Sequence, residues 1–165
     1  MDSCQCPPEA GHATCELQAQ AVEGACPTNG RIGKRVDSLT LKAMLARPLT
    51  DLRAVEYRFC READCPTVYY SVDGRQIFTE ADLRDGVYQK RPDDHNVFVC
   101  YCFRHNVESI AADVVRSGGV TVIEAIERGI QNGQCACDIR NPQGSCCLGN
   151  VKALVRRLKA ETHIQ

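Results

Sequence analysis

The chain has 165 residues, a formal net charge of −1, a pI near 6.4, 5% aromatic residues and no tryptophan. That balance excludes a nucleic acid or membrane surface recruited by bulk charge, and the length suits one ordinary domain or two small ones. Twelve cysteines accompany this thin aromatic core, and small units of that kind are usually held by disulfides or metals.

No apolar h-region follows Met1-Asp2-Ser3, and no run of about 18 apolar residues marks a membrane span. The expected location is therefore cytoplasmic, where clumped cysteines serve as metal ligands rather than bridges. Residues 1–25 read as a poorly ordered leader carrying Cys4, Cys6 and Cys15. Its Cys-Gln-Cys is either a pair of free thiols or a two-thiolate site for a soft cation such as Cu(I).

From Cys26 the character changes, and residues 26–93 read as a zinc-binding module. CPTNG is a turn, Ser38 or Thr40 is placed to cap a short helix through LKAMLA, and VEYRF is strand-like up to Cys60. TVYYSV, Asp73-Gly74 and RQIFT read as a hairpin. A turn cysteine plus Cys60 and Cys65 beside a two- or three-strand sheet is the layout of a zinc ribbon, and a structural zinc would contribute folding energy to so small a sheet. A ribbon has a second cysteine about three residues after the first, where this chain has Asn29. The fourth ligand is left open between Cys15, another leader cysteine, Asp64 and water. His95, in the polar connector, reads as a solvated loop residue.

Residues 94–165 form the second expected module, with its boundary near Asp93-Asp94. Half of the cysteines lie between Cys100 and Cys147, in two clumps separated by two helices. Asn106 caps VESIAADVV, Ser117-Gly118-Gly119 stops it, Thr121 and Glu124 form a capping box for VIEAIERGI, and Asn132-Gly133 ends that helix. A third helix after Cys147 turns Val151, Leu154, Val155 and Leu158 inward and leaves a basic outer face. The helix pair is a hairpin, so Cys100 and Cys102 meet the second clump at one end. The single residue between Cys100 and Cys102 suits two thiolates on one iron of a cluster. On the other side Cys135, Cys137, Cys146 and Cys147 compete, and spacing alone does not choose among them. The DIRNPQGS loop offers backbone N–H groups to an anionic cluster. No acid, base or nucleophile constellation accompanies these residues, so the expectation is an electron carrier and not an enzyme.

The segment from Cys100 to Cys147 resembles the bacterioferritin-associated ferredoxin (BFD) type of 2Fe-2S domain. Over most of residues 26–155 the chain is still more similar to the N-terminal region of the CopZ family of archaeal copper chaperones. The carrying segments are CPTNG with its following helix, YRFCREADCPTVYYS, the CYC pair and NPQGSCCLGNV. The resemblance implies an α+β protein in which a small zinc-ribbon-like β-hairpin module precedes a helical BFD-like 2Fe-2S module. It implies Cys100, Cys102, Cys137 and Cys147 as cluster ligands, Cys26, Cys60 and Cys65 as zinc ligands, and Cys135 and Cys146 as spare thiols. The family's chaperones also have a ferredoxin-like domain with a Met-x-Cys-x-x-Cys copper loop, which this 165-residue chain lacks. The implied role is reduction of Cu(II) to Cu(I) for a copper-transport protein. The alternative is a generic ferredoxin-like carrier or iron-sulfur redox sensor unrelated to copper.

Overall fold

The computed structural model describes residues 23–162, so the expectations attached to Cys4, Cys6 and Cys15 lie outside the described residues. Helices and antiparallel sheets are mixed along the chain, an α+β arrangement. The described residues begin with β1 (Lys34–Val36), α1 (Ser38–Met44), β2 (Tyr57–Phe59), β3 (Thr67–Ser71), β4 (Ile77–Thr79) and a 3₁₀ turn (Glu80–Asp82). The four strands form one antiparallel sheet in the order β1-β2-β3-β4, larger than the two or three strands expected. β1 is a three-residue edge whose first two side chains are exposed and basic, too short for a period to show in sequence.

β3 is buried at all five positions because both sheet faces are covered. On one face Tyr57, Phe59, Val68, Tyr69 and Phe78 pack with Leu41, Met44 and Leu45 of α1 and its end. An irregular register between Thr67 and Tyr69 lets the neighbours Val68 and Tyr69 join the same core. On the other face Tyr70 packs against Cys26, Cys60 and Cys65.

α1 starts one residue earlier than its sequence signals suggest. Asp37, not Ser38 or Thr40, is the N-cap, and its carboxylate accepts from Leu39 N–H at 2.8 Å. An ionised oxygen at a helix N-terminus also answers the dipole, which a hydroxyl does less well. Thr40 is fully buried inside the helix instead.

The chain then forms β5 (Phe98–Cys100), β6 (His105–Asn106), α2 (Val107–Ser117), α3 (Val120–Gln131), α4 (Cys137–Arg140) and α5 (Leu148–Thr162). Asn106 caps α2 by accepting from Ser109 N–H at 2.9 Å, as expected. Gly118 and Gly119, at φ 67° and 77°, turn the chain between α2 and α3. Gly119 is also required by space, since a Cβ there would lie 2.5 Å from Val155 Cγ1.

The expected capping box at Thr121 and Glu124 is absent. α3 starts at Val120 with Gly119 as its cap, and no cap side chain bonds to its first turn. Asp113 of α2, 3% exposed, accepts from Val122 N–H at 2.9 Å instead. The second core gathers Val99, Val107, Ile110, Val114, Val122, Ile126, Val151, Leu154 and Val155 from β5 and three helices.

The two cores meet through α1 and α4 and through the loop after α4. Tyr69 Oη donates to Pro142 O at 2.5 Å, and Gln89 Nε2 donates to Gln143 Oε1 at 2.6 Å. Among the described residues no helix is long and apolar enough to cross a membrane.

Candidate metal centres

Three backbone devices assemble the first centre. Cys26 opens a turn in which Gly30 N–H donates to Cys26 O and Cys26 N–H donates to Arg31 O, both at 2.8 Å. Cys60 follows β2 and donates its N–H to Val68 O at 2.8 Å, while Cys65 precedes β3 and donates to Glu62 O at 3.2 Å. The β2–β3 connection therefore presents two sulfurs to the turn that carries the third.

The three Sγ atoms lie within 4.8 Å of one another, with Cys26 and Cys65 3.9 Å apart. A tetrahedron of ~2.3 Å zinc–sulfur bonds has edges of about 3.8 Å, so the spacing fits a thiolate-bound zinc. All three residues are buried, at 1%, 2% and 4% exposure. Tyr70 lies beneath them, its hydroxyl donating to Gly24 O at 2.9 Å and accepting from Gly33 N–H at 2.6 Å.

The electrostatics of the triad are uneven. Burial alone would raise the Cys26 pKa, but the N–H groups of Thr28 and Asn29 and the neighbouring thiols outweigh it and hold the thiol below its usual value. Burial, aided by Cys60, pushes Cys65 up. Asn29 Nδ2 donates to Cys60 Sγ at 3.3 Å, and its Oδ1 accepts from Arg31 N–H at 3.0 Å. Asn29 thus supports a sulfur instead of replacing one. Among the described residues the donor group comprises these three cysteines, and Asp64 is exposed.

The second centre is a cluster of five thiols. Cys100 ends β5 and Cys102 follows two residues later, with Tyr101 between them donating its hydroxyl to Gly86 O at 2.8 Å. The turn continues through Arg104, whose φ of 56° is left-handed and whose guanidinium lies 4.4 Å over the Phe98 ring. This tight reversal aims the N–H groups of Cys102 and Phe103 at Cys100 Sγ. Across from it, Cys102 Sγ is 3.6 Å from Cys137 Sγ and accepts from Ala136 N–H at 3.3 Å. Cys147 stands near enough to Cys100 and Cys137 to shift both thiols, while the three sulfurs within 4.8 Å of one another are those of Cys102, Cys135 and Cys137.

That pattern polarises the thiols. Hydrogen bonding from Cys147 lowers Cys100, and it brings Cys137 down to about 5. Cys147 is driven upward by the same two contacts. Burial raises Cys102 to about 12. Sulfurs brought together from positions 35 residues apart, each met by a backbone N–H or a second thiol, form a donor set fit for a soft metal or an anionic cluster.

Of the residues that the resemblance implies, Cys102 and Cys137 fall in one tight group with Cys135, which the resemblance had left spare, while Cys100 and Cys147 adjoin Cys137. The Cys135 sulfur is 3.2 Å from Cys137 Sγ. Cys146 is exposed. His95 is exposed in its loop, where the sequence had placed it. The α4 turn was missed in sequence because four residues carry no period. A separate signal was present in Cys-Ala-Cys, which repeats the alternation of Cys-Tyr-Cys.

Residues 23–84 match the family described as a zinc binding domain of CopZ type. No curated protein sequence matches the chain. Among solved structures, the X-ray structure of the Archaeoglobus fulgidus CopZ N-terminal domain is similar, at 25% identity and a TM-score of 0.66, covering 79% of this chain and 96% of that one. The first centre thus lies inside a region matched as zinc-binding, and the fold that carries both centres is similar to that of a CopZ N-terminal domain.

Proposed function

We propose that this protein is a one-electron carrier in copper handling, with a 2Fe-2S cluster at the second centre and a structural zinc at the first. The observation that carries this reading is the convergence of Cys100, Cys102, Cys137 and Cys147 in a chain similar to a CopZ N-terminal domain. The cluster would supply one-electron transfer, whereas zinc has no redox chemistry and acts as a staple. The boundary near Asp93-Asp94 separates the two modules.

The chain's own residues explain how such a group is kept. Backbone N–H groups of Cys102, Phe103, Ala136 and Cys147 meet the ligand sulfurs and offset thiolate charge. Val99, Ile110 and Val151, each 0% exposed, close the inner side against water. Cys102 remains partly exposed and leaves one edge open for electrons to enter and leave. The substrate is Cu(II), which takes one electron to become Cu(I), and a copper-transport protein receives it.

Protein purified without oxygen tests this directly. Visible charge-transfer absorption with about two iron, two sulfide and one zinc per chain is expected, followed by reoxidation of the dithionite-reduced protein as Cu(II) is added. A colourless protein with zinc in both centres would overturn the redox reading. An iron-loaded protein that does not reduce Cu(II) would leave the generic carrier or sensor.

A further inference from the structure

A 2Fe-2S cluster held by cysteines alone takes four protein sulfurs, and five cysteines gather at the second centre. The fifth, Cys135, has the surroundings of a ligand and not those of a bystander. Its thiol accepts from Cys137 N–H and hydrogen-bonds to Cys102 and Cys137. At 3.2 Å from Cys137 Sγ it stands close to the same corner of the site.

The two cysteines differ in how they are held. Cys137 is 8% exposed and is the first residue of α4, where its carbonyl accepts from Asn141 N–H at 3.2 Å. Cys135 is partly exposed and follows Gly133, whose φ is 69° and around which a Cβ would meet nothing within 4 Å. Residues 131–134 are all exposed, and Cys135 packs on the second core while staying partly exposed, so it is held less tightly than the buried Cys137. The hydrogen bond that supports Cys135 comes from the backbone of residue 137 and survives any side-chain change there. Cys146 lacks these features: it is exposed, and its neighbour Cys147 is the one turned inward.

We infer that Cys135 is an interchangeable ligand of the second centre, able to take the place of Cys137. This rests on reading the centre as an iron-sulfur site. In the exchange the Cys135 sulfur forms the iron bond that the Cys137 sulfur gives up, and the proton lost by the incoming thiol passes to the outgoing thiolate. Neither iron nor sulfur changes oxidation state. One free thiol therefore always stands beside the centre.

The test compares iron, sulfide, zinc and the visible spectrum of full-length Cys135→Ala, Cys137→Ala and the double variant, purified without oxygen. Each single variant is expected to keep near wild-type iron and sulfide, with the charge-transfer bands shifted only in Cys137→Ala. The double variant is expected to lose both iron and sulfide while keeping its zinc. Loss of iron from either single variant would overturn the exchange, and so would an iron-loaded double variant. Should Cys137→Ala lose zinc as well, the fold has failed, and the larger, non-coordinating Cys137→Val, alone and with Cys135→Ala, gives the same contrast. A wild-type protein without iron would overturn the iron-sulfur reading itself, whereas a loaded wild type with an iron-free but zinc-loaded Cys137→Val overturns only the exchange.

Discussion

Asn29 uses both ends of its amide, one on Cys60 Sγ and one on Arg31 N–H, at the position where a ribbon has a cysteine. It organises the turn without adding a sulfur. Replacing it tests how many ligands the turn was shaped for. Asn29→Cys is expected to add a fourth thiolate and slow zinc release to a chromogenic chelator by about tenfold or more. Unchanged release would show that the side chain at 29 does not reach the metal. Asp113 makes a second point at the same scale. Burial alone would raise its carboxyl, but Val122 N–H, Arg116 and Ser117 outweigh this and hold it below its ordinary 3.8. The stabilisation is therefore full above that value and is lost as pH falls through the lower native value. Asp113→Ala is expected to cost about 1–2 kcal/mol in denaturant unfolding at neutral pH, and the difference from wild type should shrink in acid. A difference that does not depend on pH would assign the loss to packing.

Among the elements, α3 contains a glycine in its interior, a substitution that ordinarily costs a helix about 1 kcal/mol relative to alanine. Gly129 is there because the Phe103 ring lies on it, and a Cβ would come within 2.3 Å of Cζ. Phe103 adjoins Cys102, so the helix surface braces the turn that carries the first cysteine pair. Gly129→Ala is expected to destabilise the fold by about 1–2 kcal/mol despite its better helix propensity, because the ring must leave its seat. A gain in stability would show that the ring relocates freely. The helices themselves were legible: Asn106, the Gly118-Gly119 stop and the apolar stripe of α5 announce their elements locally. β1, β6 and α4 were not, since each has four residues or fewer and exists through its partners. Asp113 was also hidden, because a residue of one helix satisfies the N-terminus of the next, and a local capping signature at Thr121 and Glu124 competed with it. At the second centre spacing left Cys135, Cys137, Cys146 and Cys147 all open as partners of Cys100 and Cys102. Membership of Cys135 required the geometry, since the resemblance had left it spare.

For the molecule as a whole, the two cores are joined by a few directional contacts, with Tyr69 Oη on Pro142 O the shortest hydrogen bond to the second core. That carbonyl lies in the Asn-Pro-Gln-Gly loop leading to Cys147, so the sheet of one core positions a sulfur of the other. Tyr69→Phe strands a buried acceptor and is expected to cost about 1–3 kcal/mol. It should also speed metal loss from the second centre, measured by colorimetric chelation, while zinc stays in place. Equal retention in the variant would show that α4 and its loop hold themselves.

β3 places Tyr69 and Tyr70 side by side, the first reaching Pro142 and the second lying under Cys26, Cys60 and Cys65. Successive residues of a strand face opposite ways, so one backbone segment serves two metal environments at once. A deletion or insertion of a single residue in this strand would exchange the two phenols and spoil both environments together. Amide protons of β3 should then exchange with solvent only when both ends of the molecule let go, making this strand a gauge of the whole protein's integrity.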